Sequence, residues 1–513
     1  MFRFLRDTFL GKDRKEAIGE EYEVKLKKSL KANQKILKEI FINDDTIIFR
    51  DFQTHHPNSI QCTLVFANGM VDKDMIQESI LYPMMRSSMK EVTCRLDQLD
   101  SFIHKIITSN EVKITQDINV LIGGVLYGDT LLLIDGMNKA VLIDTKGWKM
   151  RSINEPTAEV IVKGPREGFI ESILINTSLI RRKIKNPHLK FQFKQIGRRT
   201  KTNIGICYIE GLVNEKILKE LYQRLDKIDI DGVLGSNYIE ELIMDSPFSP
   251  FRTMGYTERP DVVAAKLLEG RIAMIIDGTP VVSTLPFVFQ ENFEINEDYY
   301  ENFIFASINR LLRFLAFFLS TSTPAIYVAL TTYHQEMIPT KLLLSIVAAR
   351  EGVPFPTIVE ALGMILIFEI LRETGVRLPQ PVGETISIVG ALVIGEAAVE
   401  AKFVSAPMVI VVALTGISAF LIYKMRGTVI VIRTIFLLLA GFLGLYGYIF
   451  GVMGLFIHLM GMRSFGIPYM INMSSFNKQE IKDTIIRAPW WYMYYRPKLI
   501  GDRNVIRKKD AKR

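Results

Sequence analysis

The stretch from Thr428 to Met460, TVIVIRTIFLLLAGFLGLYGYIFGVMGLFIHLM, holds one arginine, one histidine and no acid. Such a run does not stay on the surface of a water-soluble domain, and about 20 mostly apolar residues suffice for a helix to cross ~30 Å of hydrocarbon. As a single helix it would be ~50 Å long at 1.5 Å per residue. It is therefore either one long tilted helix or two short ones.

Four more apolar runs precede it, at 305–331, 355–371, 384–401 and 404–423. The first contains Pro324 and has Arg310 and Arg313 near its start. The stretch 341–350 is too short to span and lies along or dips into the outer surface. Outside residues 303–461 the chain reads differently: charges run throughout residues 1–300, and the segment from Met462 carries twelve Lys or Arg against four Asp or Glu. That excess equals the whole net charge of +8, so the rest is neutral. A basic tail directly after membrane helices is a cytoplasmic tail held near anionic lipid. No basic stripe with interleaved aromatics points to nucleic acid.

Basic residues also orient the spans. With the N-terminal part inside, span two returns to Arg372 and Arg377, span three exits near Lys402, and span four returns to Lys424 and Arg426. The basic tail is then inside only if 428–460 crosses twice, which gives six spans. Against this stands the row Gly441, Gly444, Gly447, Gly451 and Gly454, whose spacing suits one continuous helix face and close packing, giving five.

The acids in these runs sort by position. Glu360, three residues after Thr357 and just past Pro356, reads as the second half of a Thr-x-x-Glu capping box. Glu369 reaches Arg372 at the membrane edge, and Glu384 suits a first helical turn. Glu396 and Glu400 do not fully share such explanations, although Glu400, near a helix exit, is able to snorkel. They share a stripe with Val389 and Val393, spaced four, three and four. Glu396 lies ~6 Å deeper than Glu400, one helical turn. An acid at the helix centre costs at least ~2.5 kcal/mol if it faces lipid. Two readings stay open: a buried acid bonded to a neighbouring helix, or a cation path with an apolar constriction at Val389 and Val393 above acids at Glu396 and Glu400.

The soluble part repeats itself. CTLVFANGMVDKDMI and IGICYIEGLVNEKIL each leave a strand, turn at Gly69 or Gly211 and enter a helix, and LYGDTLLLIDG faces LEGRIAMIIDG. Gly69 and Gly211, Gly128 and Gly270, and Asp135 and Asp277 are all related by the same offset of 142. A register shared at three separated sites indicates two tandem α/β subdomains, roughly 41–147 and 165–292. Both Asp-Gly steps sit between β-rich flanks and read as hairpins. Residues 12–40 read as a solvated N-terminal helix, and RRKIKNPHLK as a solvated face with a turn at Asn186-Pro187.

No catalytic pattern emerges. The six histidines show no metal-ligand spacing, no phosphate loop ends in Lys-Ser/Thr, and no cofactor is indicated. Lys163 and Arg166 in KGPREGF offer, at most, an anion contact with backbone amides or a structural loop. Three cysteines fit a reducing compartment.

The chain resembles the A subunits of bacterial spore germinant receptors. The resemblance runs from about Leu121 to Phe420 and is carried by NEPTAEVIVKGPREGF, NTSLIRRKIKNPHLK, IGRRTKTNIGICYIEG, DIDGVLGSNYIEELI, TERPDVVAAKLLEGRIAMIIDGTP and EDYY, then by REGVPFPTIVEALGMILIFEILRETGVRLP and ISIVGALVIGEAAVEAKFVSAPMVIVVALTGISAF. It implies a multi-pass protein of the spore inner membrane, its soluble part and tail facing the core. It implies partnership with a permease-like B subunit and a lipoprotein C subunit, and homo-oligomerisation into a nutrient-gated cation channel. A secondary transporter and a non-conducting scaffold are the competing classes; transporters usually repeat within the membrane, whereas the repeat here is in the soluble part.

The expected architecture is an N-terminal α/β region of two related subdomains followed by an all-α polytopic membrane domain. Its segments are 1–40, a charged helical segment; 41–147, subdomain 1; 148–302, linker and subdomain 2; 303–461, five or six spans; and 462–513, the basic tail.

Overall fold

The computed structural model describes residues 24–54, 60–86, 112–147, 161–378, 393–471 and 483–493, with Tyr22, Glu159, Gly390, Arg496 and Arg507. Its N-terminal half holds two five-stranded sheets. The first contains β1 (Ile47–Gln53), β2 (Gln61–Ala67), β3 (Val112–Thr115), β4 (Asp129–Ile134) and β5 (Ala140–Asp144), in the order β1-β2-β4-β5-β3. The second contains β6 (Leu189–Ile196), β7 (Thr202–Ile209), β8 (Gly255–Thr257), β9 (Ile272–Ile276) and β10 (Val282–Leu285), in the order β6-β7-β9-β10-β8. Every neighbouring pair is antiparallel. Strand β2 is buried on both faces from Cys62 to Ala67 and β9 along its whole length. This explains why these strands read as apolar runs without alternation.

Each sheet has a helix before its first strand, α1 (Leu30–Ile40) or α4 (Ile173–Lys183), and another before its fourth, α3 (Ile118–Tyr127) or α7 (Pro260–Leu268). The bonds at these helix starts recur at the 142-residue offset or within a residue of it. The Asp135 carboxylate accepts from the Leu30 amide at 3.0 Å, and Asp277 from Ile173 at 3.1 Å. Asn33 closes a loop by bonding both backbone groups of Lys27, and Asn176 does the same with Ile170. Gly69 and Gly211 turn the chain with φ of 86° and 81°, a region where a side chain is strained. The hairpins at Asp135-Gly136 and Asp277-Gly278 join β4 to β5 and β9 to β10.

Two expectations from local sequence are corrected. The segment read as a solvated N-terminal helix is described as helix only over Leu30–Ile40, and Leu26, Leu30 and Leu37 lie in the core of the first sheet. In RRKIKNPHLK, Arg181 is buried rather than solvated. It joins the sheets through Asp44 at 2.7 Å and Thr46 at 2.8 Å, while Arg182 and Lys183 remain at the surface on Glu167.

The C-terminal half is helical. Among the described residues two apolar helical stretches, Phe303–Thr332 and Tyr423–Gly461, are long enough to cross a membrane. Helix α8 (Phe303–Thr332) leaves the second sheet and ends at Tyr333 and His334. The short α9 (Thr340–Arg350) buries none of its residues. Helix α10 (Thr357–Arg377) runs back, residues 393–400 form α11, and α12 (Ala406–Phe420) packs against α8 and α10 around Val328, Ala361, Met364, Met408 and Val412.

The run Arg426–Gly461 is not one straight helix. Gly444 stands at φ 62°, ψ −144°, a conformation open essentially to glycine, and divides it into α13 (426–443) and α14 (445–461). The two arms fold back on each other. The rings of Phe436 and Tyr448 are 5.6 Å apart, whereas twelve residues of straight helix would separate them by ~18 Å. The outer ends of both arms meet the same loop of the second sheet: Thr428 donates to the Pro250 carbonyl at 2.6 Å, and His458 bonds Ser249 at 2.8 Å. The turn lies at the other end of the bundle, where the Tyr333 hydroxyl donates to the Gly441 carbonyl at 2.7 Å. Within the glycine row, Gly444 makes the turn and Gly447 and Gly451 face the other arm, while Gly441 packs on Ile358 of α10 and Gly454 meets nothing within 4 Å, so the row is not one face of a continuous helix. Beyond it the chain returns to the second sheet, where Phe465 enters the core and its amide donates to Asp245 at 2.6 Å.

Candidate functional site

Arg310 and Arg313 lie two to three turns inside an apolar helix, and three residues apart they share one face. Both are buried, so both need acids. The acids come from the EDYY turn and the tail. Asp298 accepts from Arg310 Nε at 3.0 Å and takes two bonds from Arg313, at 2.8 and 2.7 Å. Asp483 accepts from Arg310 at 2.9 Å and from the Tyr299 hydroxyl at 2.8 Å. Tyr300 donates to Asp261 of α7 at 2.7 Å. Glu297 accepts from the amides of Val162 and Lys163 at 3.0 and 3.2 Å. Four consecutive residues therefore tie the linker, the second sheet, the tail and the first long helix into one junction.

Beside this junction is a cavity of about 430 Å³, walled by Asp261, Lys266, Glu291, Glu294, Lys424 and Trp490 among others. Lys424 belongs to the connection between α12 and α13 and points toward Glu159 at 3.9 Å. Glu159 in turn accepts from Thr257 at 2.5 Å and from the Glu258 amide at 3.1 Å. The hairpin is thereby linked to the linker and the second sheet through one ammonium.

Burial pushes the Glu294 carboxyl up to about 7; Arg310 and Lys266 oppose the shift, and Asp483 and Glu291 add to it. A raised acid pKa means that folding favours the protonated form. Its stabilising contribution is full below the ordinary 4.5 and is lost as pH rises through about 7. We expect Glu294→Gln to change the melting temperature of the detergent-purified chain little at pH 4.5. It should raise it relative to the parent as pH climbs, levelling off above 7. A difference independent of pH would show that Glu294 titrates normally.

The residues singled out from sequence do not form one site. Val393, Glu396 and Glu400 lie exposed on α11; Val389 lies outside the described residues. Glu396 and Glu400 make no hydrogen bond or ion pair among the described residues. Lys163 is exposed, with Nζ 3.9 Å from Glu301, and Arg166 is exposed on the same loop. The amides there hold an internal carboxylate, that of Glu297. Glu360 is not a capping residue: Pro356 precedes the helix and no side chain caps it. The fully buried Glu360 carboxylate instead accepts from Arg350 at 3.1 Å and from the Ser405 amide and hydroxyl at 3.1 and 3.0 Å. Glu369 does pair with Arg372, and also takes Arg433 of α13 at 2.5 Å. The junction residues Asp298, Asp483, Glu294 and Lys424 were not identified as a site from sequence. The usable signal was the pair Arg310 and Arg313, which demands acids from elsewhere. Among the described residues no cluster of His, Cys, Asp or Glu is arranged to hold a metal.

The model of the Bacillus/Clostridium GerA spore germination proteins matches residues 35–499. Spore germination protein KA of Bacillus subtilis (strain 168) is 45% identical over 92% of this chain and 86% of its own length. Spore germination protein GerLA of Bacillus cereus is 38% identical over 88% of this chain and 92% of its own. The crystal structure of the N-terminal domain of the A subunit of the Bacillus megaterium spore germinant receptor GerK3 aligns with 52% of this chain and 98% of that one, at 36% identity and a TM-score of 0.42. With the family model matched over residues 35–499 and the KA and GerLA proteins covered over 86% and 92% of their lengths, the chain belongs to the GerA family of spore germination proteins, which are receptor components and not enzymes.

Proposed function

We propose that this chain is the A subunit of a nutrient-sensing germinant receptor in the spore inner membrane, where copies of it assemble into a nutrient-gated cation path beside a permease-like B subunit and a lipoprotein C subunit. The helical half crosses the membrane six times, with the sheets (41–147 and 148–302, two related units) and the tail from 462 on the core side. The hairpin at Gly444 supports the even number, because both arms end at the Ser249–Pro250 loop.

One observation carries the channel reading: Val393, Glu396 and Glu400 project outward from the single chain, and the two acids lack partners among the described residues. A carboxylate facing lipid at depth costs at least ~2.5 kcal/mol. A second copy and the water held between copies remove that cost, and a ring of such acids prefers cations. The arrangement at the junction suits transmission, since movement of the second sheet reaches α8 through Asp298 and the hairpin through Lys424.

The test is ion flux from liposomes holding the receptor assembly. Val393→Ala should widen the narrow part and raise resting cation efflux without nutrient. Glu396→Gln keeps size and hydrogen bonding and should weaken, without abolishing, the preference for cations over anions. Unchanged resting efflux in the first and unchanged selectivity in the second would place the path elsewhere.

A further inference from the structure

We infer that the second sheet and the tail are seated on the lipid surface through two aromatic contacts, Phe248 on one side of the bundle and Trp491 on another. Both enter the boundary between headgroups and acyl chains. The inference rests on the reading that the bundle crosses a membrane.

Phe248 is fully exposed, at 102% of its reference surface, yet its loop is held at several points. The Ser249 amide closes a turn on the Ser246 carbonyl at 3.1 Å. The Ser249 hydroxyl is fixed to His458, and the Pro250 carbonyl to Thr428. Three residues on, Phe251 is buried among Phe289, Tyr469 and His458. The sequence SPFSPF thus places one ring in the core and holds the other in the open. Thr428 and His458 are two and three residues inside the helix ends at 426 and 461, so the loop sits ~3–5 Å within the ends of both arms. At that end the arms present Val431 and Ile457 outward. The helix leading into the loop, α6 (Ser236–Ile243), buries Ile239 and Ile243 and exposes Tyr238 and Leu242, four residues apart on one face.

The second contact is built differently. The Arg487 amide donates to Ser307 in the first turns of α8 at 3.1 Å, and Trp490 Nε1 to the Tyr299 carbonyl at 3.4 Å. Trp491 follows, 61% exposed, its ring 5.8 Å from that of Phe303. Ile304, Phe305 and Ile308 are exposed on the same helix as Phe303.

A single exposed apolar residue on a protein surface means little. Here the segment that carries each aromatic is hydrogen-bonded near the end of an apolar helix, through Ser249 and Pro250 for Phe248 and through Arg487 for Trp491. The headgroup boundary is where aromatic side chains concentrate at helix ends. A protein partner would require a surface that avoids the lipid lying directly against the same helices, so lipid is the occupant the geometry favours.

The test uses the full chain in vesicles of phosphatidylcholine and phosphatidylglycerol. Cys94 is replaced by Ser, and the two other cysteines, Cys62 and Cys207, are buried. A small environment-sensitive fluorophore is placed on Phe248→Cys, Trp491→Cys, Ile435→Cys in mid-helix, or Val162→Cys on the linker. Spin-labelled lipids quench it from near the headgroup or from mid-chain. We expect the labels at 248 and 491 to lose more emission to the shallow quencher than to the deep one. The label at 435 should show the reverse, and that at 162 neither. Quenching at 435 with none at 248 and 491 overturns the seating and leaves the spans intact. Loss of quenching at 435 as well overturns both. Labels at 248 and 491 that are unquenched alone but become shielded when the partner subunits are added mark protein contacts, and the inference falls.

Discussion

Asp298→Ala should cost the folded chain about 3–5 kcal/mol, the usual penalty for removing one partner of a buried ion pair. The loss would fall unevenly on the two arginines. Arg310 keeps Asp483, through its carboxylate at 2.9 Å and its backbone carbonyl at 2.8 Å. Among the described residues Arg313 keeps only the Phe293 carbonyl at 2.8 Å and becomes a buried cation with no counter-ion among them. Asp298→Asn should lie between, retaining hydrogen-bond acceptors but no charge. Because most of the penalty is the stranded charge rather than the lost bond, Asp298→Ala with Arg313→Met should be more stable than Asp298→Ala alone. The measurement is the temperature at which half of the detergent-purified chain is lost from the monodisperse peak after heating. If the single and double variants melt with the parent, the junction is not held by this carboxylate, and transmission from the second sheet to α8 needs another route.

The features legible in the sequence are those whose cause is local. A strand followed by Gly69 or Gly211, and Asp-Gly steps between β-rich runs, can be read because the turn chemistry sits within a few residues of the strands it joins. The spacing of Val389, Val393, Glu396 and Glu400 is local in the same way; the structure carries Val393, Glu396 and Glu400 on the helix 393–400, and Val389 lies outside the described residues. What could not be read depends on partners distant in sequence. Asp44 and Arg181 are 137 positions apart, and Arg181 is hidden among neighbouring charges that do remain solvated. Glu360 shows the opposite error: Thr-x-x-Glu is a sound local signal, but Arg350 and Ser405 converge on the carboxylate from other segments and bind it more completely than a cap would. Arg433 and Glu369 belong with these, each unremarkable until α10 and α13 are placed side by side. The glycine row misled because its spacing is equally compatible with a straight face and with a seam. Only the positive φ of Gly444 distinguishes them, and periodicity does not encode it.

That distinction gives the second large effect. Gly447→Ala should open or badly strain the helical hairpin, whereas Gly454→Ala should be neutral or slightly stabilising. A Cβ on Gly447 would fall inside the van der Waals radius of the Leu439 backbone carbonyl oxygen. A backbone atom in a packed helix cannot swing aside as a side chain can, so overpacking costs about 1–3 kcal/mol or more. A Cβ on Gly454 meets nothing within 4 Å, and Gly to Ala in a helix gains about 0.4–1 kcal/mol from the unfolded state where the conformation allows it. In one straight helix Leu439 and Gly447 would be ~12 Å apart and could not clash, so the two substitutions would behave alike. Cysteines at Phe436 and Tyr448 supply an independent reading. They should crosslink readily in the parent, where the rings lie 5.6 Å apart, and poorly once Gly447→Ala is added. Equal stability of the two alanine variants, together with no crosslink in the parent, would restore the single long helix. The basic tail would then lie on the opposite side of the membrane from the sheets, and its contacts with Tyr299, Arg310 and Ser307 could not form.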